Sequence, residues 1–199
     1  MGKRRLERAL DGFAHRDQVN VTHRAFQLDP ARPRGETSSR RAMLMSKYQR
    51  TAAEVLEMDR KMEALAAVEG LEYHLTDANL TGNTLDAHQL LHLAGTHGLR
   101  DAMIERLYRA YFTEQRSIFD RESLVALGAE TGLDTGEARQ ALDSGAFAEA
   151  VADDLREARS LGITGVPFFV IDGRYGISGA QQAEVFSQAL ARVWEERDA

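Results

Sequence analysis

The spacing of hydrophobic positions changes repeatedly along the chain, and each change predicts a new element. Between Gly2 and His15, the residues Leu6, Ala9, Leu10 and Phe13 recur at helical intervals, the mark of a short amphipathic helix. Val19 and Val21 then alternate with polar residues, and Phe26 and Leu28 follow out of phase. Gln18–Leu28 is therefore expected as a strand with a bulge near Ala25, ended by Pro30 and Pro33. From Ser38 to about Leu161 the pattern is helical almost throughout. Its breaks fall at Gly70–Tyr73, Thr81–Asn83, Gly95–Gly98, Ser117–Asp120, Thr131–Thr135 and Ser144–Gly145. Asp120 and Asp134 stand where N-caps belong, and Glu137 lies at capping-box distance from Asp134.

After Gly162 the pattern becomes that of a sheet. Pro167-Phe168-Phe169-Val170-Ile171 is a continuous apolar run dense in β-branched and aromatic residues. Asp172-Gly173 supplies turn chemistry, and Tyr175-Gly176-Ile177 can return as an antiparallel partner. Gln181–Arg197 is expected as a closing helix with Val185, Phe186, Leu190, Val193 and Trp194 inward. The order is helix, strand, long helical block, hairpin, helix, which is an α/β design. One hairpin and one distant strand make a poor sheet unless another strand lies between them.

Composition narrows the function classes. The 199 residues are 43% hydrophobic, enough for a real core, and 28% charged with signs interspersed. Net charge is −6 and the only basic cluster is Lys3-Arg4-Arg5, so a nucleic-acid partner has no electrostatic footprint. No apolar run approaches the roughly 20 residues of a membrane span, and the first fifteen residues lack the apolar core of a secretory leader. The expectation is a cytoplasmic protein with neither nucleic acid nor membrane as partner. There is no cysteine, which closes disulfide, thiolate and zinc–thiolate chemistry to the chain as written.

His88 and His92 share one helical face, and the string His88-Gln89-Leu90-Leu91-His92 imitates a zincin motif. Gln89 stands where that motif has its Glu, and no third ligand is evident beyond His97, so no metal is expected. Tyr108, Tyr111 and Phe112, like Phe168 and Phe169, read first as core.

The string Gly162-Ile163-Thr164-Gly165-Val166-Pro167-Phe168-Phe169-Val170-Ile171-Asp172-Gly173, followed by Ser178-Gly179-Ala180-Gln181, resembles the cis-proline loop and terminal hairpin of the DsbA family, in its FrnE-like branch. Gly2-Lys3-Arg4-Arg5, Phe26-Gln27-Leu28-Asp29-Pro30, Asn83-Thr84, Ala87-His88 through His92, and Arg109-Ala110-Tyr111-Phe112 support it. The resemblance implies a thioredoxin-like fold, incomplete at its N-terminus, over residues 1–37 and 146–199, with an inserted helical domain over 38–145. It also implies that a Cys-x-x-Cys motif and the first β-strand precede Met1, so that this chain is expected to contain no catalytic residue and to be inactive in thiol–disulfide exchange. The first strand is expected between Val19–Phe26 and Phe168–Ile171 in such a fold, so these two segments should not pair directly.

Two groups of site residues come with the resemblance. Thr164, Gly165, Val166 and Pro167 are expected as a substrate-binding loop around a cis Val166–Pro167 bond, where Val166 would offer its backbone to an extended peptide. Asn83, His88, Gly179 and Gln181 are candidates for lining the cleft. The implied function is a thiol–disulfide oxidoreductase or isomerase acting on protein or small-molecule thiols, without a bound cofactor. Glutathione is the one candidate co-substrate, and a homo-oligomer is left open. A glutathione-dependent isomerase or kappa-type glutathione transferase, as in the 2-hydroxychromene-2-carboxylate isomerases, shares the architecture and places its activating residue in the same absent segment. A redox-inactive, thioredoxin-like peptide-binding module is the reading that the lack of cysteine favours directly.

Overall fold

The computed structural model describes residues 1–197, which divide into two compact units. The first joins residues 1–26 to the chain from 158 onward, and the second is 27–157. The joints expected at 37/38 and 145/146 fall inside the second unit.

In the first unit, helix α1 (Gly2–Asp11) ends four residues before His15, because Gly12 takes over as its C-cap. One 3-10 turn follows at Arg16–Gln18. The strand expected over Gln18–Leu28 does not form: residues 19–27 belong to no regular element, although Val19 itself is extended. Alternating side chains favour extended chain, but a strand is made by its ladder, and no sheet strand lies beside this segment. The hairpin does form. Strand β3 (Phe168–Ile171) pairs with β4 (Tyr175–Ser178) in the register Phe168↔Ser178 to Ile171↔Tyr175. Asp172 and Gly173 both take positive φ in its turn, the conformation Asp-Gly is suited to.

Helix α9 (Ala183–Arg197) covers this hairpin, and its fully buried Phe186 meets Phe169 edge to face at 4.7 Å between ring centroids. Ala9, Leu10, Ile177 and Leu190 complete this small core. Val185, expected inward, is instead 39% exposed, and Trp194 is half-buried with its indole stacked on His15 at 3.9 Å.

The second unit is helical, as its period predicts. Its helices are α2 (Arg40–Tyr48), α3 (Ala52–Val68), α4 (Leu85–Thr96), α5 (Arg100–Phe112), α6 (Arg121–Glu130), α7 (Thr135–Ser144) and α8 (Ala148–Ser160), the last running into the first unit. The core lies among α4 to α7, where Leu90, Leu93, Met103, Leu124, Leu127 and Leu142 are buried. Asp120 and Asp134 cap their helices by accepting from Ser123 N–H and Glu137 N–H. The Glu137 side chain, however, turns to His97 rather than back to the cap. The reciprocal capping box forms instead at Thr51 and Glu54, at the start of α3. One short antiparallel pair, β1 (Thr37–Ser39) with β2 (Leu80–Gly82), has no counterpart in the hydrophobic pattern. Three-residue strands carry too little alternation to stand out from a helical background.

Candidate functional site

The loop from Thr164 to Pro167 connects α8 to β3, and the Val166–Pro167 peptide bond is cis. The Pro167 carbonyl is taken inward, accepting from Gly179 N–H at 2.8 Å. Since the two faces of a strand's backbone alternate, Phe169 and Ile171 share that direction while Phe168 and Val170 point their N–H and C=O away from β4. Val166 lies immediately before Pro167, across the cis bond and ahead of the strand. It is 50% exposed, and neither its N–H nor its carbonyl bonds to another part of the described protein. A backbone donor and acceptor on one exposed residue can receive an extended chain in antiparallel fashion.

Gly179 and Gln181 are drawn to this loop. Gly179 has φ +81°, a conformation glycine enters without strain, and this lets its N–H face Pro167. Gln181 folds back over it, donating its side-chain amide to Ser178 C=O at 2.8 Å and its N–H to Gly179 C=O at 3.0 Å. The loop is therefore held by short local bonds on the hairpin side.

Two further residues, to which the sequence assigns no role, contribute. A Cβ added to Gly2 would lie 3.0 Å from Pro167 Cγ and 3.2 Å from Phe169 Cζ, so the first turn of α1 rests directly against the proline loop. Arg5, one turn on, is buried and donates from Nη1 to the Ala180 carbonyl at 2.5 Å, tying α1 to the segment that follows Gly179. Both belong to the Gly2-Lys3-Arg4-Arg5 string, but nothing in the string alone says which arginine turns inward. On the outer side, Glu7 pairs with Lys3 and with Arg4; burial pushes its carboxyl up, and the two cations outweigh that and hold it below the usual range. Lys3 and Arg4, set against the single carboxylate of Glu7, leave this turn of α1 positively charged, which favours nearby negative charge.

Asn83 and His88 lie in the second unit, apart in sequence and grouping from the other candidates. Asn83 makes its hydrogen bonds within that unit. Its amide donates to Arg32 C=O at 2.6 Å and accepts from Gln27 and from Leu85 N–H, which fastens the segment after residue 26 to the start of α4. His88 is half-buried in the first turns of α4. His92, on the same face, is bound by others: Nε2 meets Asp154 at 3.0 Å and Nδ1 meets Arg100 at 3.3 Å. Among the described residues no three His, Asp or Glu side chains are gathered as a metal site requires, and no helix is long and apolar enough to cross a membrane.

A thioredoxin-type hairpin, a cis-proline loop facing the start of a helix, and a helical insertion define the class of DsbA-like proteins. The DSBA-like thioredoxin domain family matches residues 1–191, and the chain belongs to that family. It is similar to the structure of a probable DsbA oxidoreductase from Streptomyces coelicolor, at 46% identity and a TM-score of 0.94, over 98% of this chain and 84% of that one. It shares its fold with the cytosolic disulfide reductase DsbM of Pseudomonas aeruginosa, at 20% identity and a TM-score of 0.62, over 100% and 93% of the two chains. An uncharacterized protein of Bacillus subtilis, YwbO, is 28% identical over 131 residues. That match spans 65% of each chain, just under two thirds of the curated relative's length.

Proposed function

We propose that this chain is the substrate-binding scaffold of a FrnE-like thiol–disulfide oxidoreductase or isomerase, and that it grips an extended segment of a thiol substrate at Val166. The observation that carries the reading is the open backbone of Val166 beside Pro167, whose ring lies at Gly2 in the first turn of α1. In this arrangement a substrate strand held by Val166 runs past the turn of α1 that carries Lys3 and Arg4, whose positive charge favours a thiolate. The residues divide the work. Val166 pairs with the substrate backbone, Gly179 fixes Pro167, and Arg5 fixes the Gly179–Gln181 segment. The chain contributes no thiol of its own, so as written it binds without exchanging disulfides.

The absence of cysteine also favours a second reading, a redox-inactive module whose whole role is peptide binding. Amide chemical shifts of this chain during titration with a reduced, unfolded peptide test the shared step. The expected result is a set of shifts centred on Thr164–Val166 and Gly179–Gln181. Shifts centred elsewhere, or none up to about 1 mM peptide, a concentration matching only about 4 kcal/mol of binding, overturn both readings. Insulin reduction with glutathione as electron donor then reads the redox property. No activity is expected from the 199-residue chain, and turnover by it would contradict the scaffold reading and the binding-module reading alike.

A further inference from the structure

The helical hairpin α2–α3 differs from the rest of its unit. Helix α2 buries no residue, and α3 buries only Val55, Asp59 and Ala66 across its 17 residues. Beside that buried line, Met58, Met62 and Leu65 stand at i, i+4 and i+7 and form one apolar stripe, each exposed by 38–51%. Tyr48, at the end of α2, and Val68, at the end of α3, are exposed by 50% and 77%. Unbranched methionines adapt their shape to a partner surface, and a contiguous apolar stripe of this kind is a contact surface rather than scattered exposure.

The charges beside the stripe indicate what covers it. Glu57 and Lys61 pair one turn apart along one edge, both largely exposed, and Arg50 pairs with Glu54 ahead of them. Arg60 and Glu63 lie on the remaining surface, so outside the buried Asp59 the charges around the stripe balance, Arg50, Arg60 and Lys61 against Glu54, Glu57 and Glu63, on a chain of net charge −6. Two identical copies of an acidic molecule meet with least repulsion at such a face. The edge is also self-complementary: antiparallel helices related by a two-fold axis near residue 59 bring Glu57 of each to Lys61 of the other. The same register sets Met58 near its own copy and Leu65 and Val68 near the opposing Tyr48. At 1.5 Å per residue α3 is about 25 Å long, and with α2 beside it the face measures on the order of 500 Å² in outline. That is within the smaller class of specific interfaces, about 1,000 Å² in total.

We infer that the exposed face of α2–α3 is a homodimer interface in which α3 packs antiparallel on α3 of a second copy, with Glu57–Lys61 pairs exchanged between copies. Sedimentation equilibrium of the full 199-residue chain at about 150 mM salt, over about 1–100 μM, tests it. The wild type should dimerise in this range, and Met62→Asp should leave a monomer with an unchanged circular dichroism spectrum. Lys61→Glu should weaken the dimer about tenfold, the effect of two exposed pairs turned repulsive, and adding Glu57→Lys should restore it. Val170→Lys, at the outward edge of β3, should leave the dimer intact. A monomeric wild type, a dimer insensitive to Met62→Asp, a double charge reversal that fails to restore, or a dimer lost through Val170→Lys would each overturn the inference.

Discussion

The two units solve the problem of burial in opposite ways. The helical unit is continuous in sequence and fills its core from neighbouring helices, with Leu90, Leu124, Leu127 and Leu142 almost wholly buried. The thioredoxin-like unit gathers the two ends of the chain, and its core is a few residues from α1, the hairpin and α9 centred on Phe186. Near neighbours in sequence give the helical unit its cohesion at low cost in loop closure, whereas the other unit depends on contacts between residues more than 150 positions apart. The proposed binding loop sits in the thioredoxin-like unit, the less redundant of the two arrangements. A small core has few substitutes for any one of its members, so single changes there should be felt across the whole unit.

The largest test of that contrast is a matched pair of cavities. Phe186→Ala should cost about 3–5 kcal/mol and Leu124→Ala about 2–5 kcal/mol. Amide hydrogen exchange should separate them: Phe186→Ala should release protection through α1, β3 and β4 while α4–α7 keep theirs, and Leu124→Ala should do the reverse. If either variant lowers protection equally everywhere, the units do not open separately. Next in size, Gly2→Val forces side-chain atoms onto Pro167 and Phe169 and should cost about 1–3 kcal/mol by overpacking, with the loss confined to the first unit. Its melting curve against that of Gly12→Ala, at a helix end with no close side-chain neighbour, reads this directly.

Asp120→Ala in the helical unit removes a cap bond to Ser123 N–H and should cost about 1 kcal/mol, seen as faster exchange in the first turn of α6. The smallest effect is a matter of pH. The Thr51 backbone N–H, then Arg50 and the Thr51 hydroxyl, pull the Glu54 carboxyl from an ordinary 4.5 down to about 2. A folded-state value below the unfolded one means that its support for α3 is present above about pH 4.5 and is lost as pH falls towards 2. Glu54→Gln, which leaves no titrating group there, should flatten this dependence, measured as α3 amide exchange between pH 5 and pH 2. Glu7, also shifted down, gives α1 an acid limb of the same sign.

Much of this architecture was legible because it is written locally. Asp120 and Asp134 announce helix starts, and Asp172-Gly173 announces the hairpin turn. What stayed hidden is decided by partners remote in sequence. Glu137 has the spacing of a capping box, but His97, forty residues away, captures its carboxylate. Val19 and Val21 alternate as in a strand, yet alternation cannot supply a neighbouring ladder. The candidate site divides in the same way. Pro167 and Gly179 were read from a string, while the inward turn of Arg5 and the close approach of Gly2 follow from packing that no string encodes.

The stacking of Trp194 on His15 has an optical consequence. This is the chain's single tryptophan, and it lies entirely within the thioredoxin-like unit. Its fluorescence therefore reports on that unit alone, whereas ellipticity at 222 nm is dominated by the seven helices that begin in the other unit. Two instruments applied to one unlabelled sample thus follow the two units independently. The gap between their denaturation midpoints measures how strongly the units are coupled.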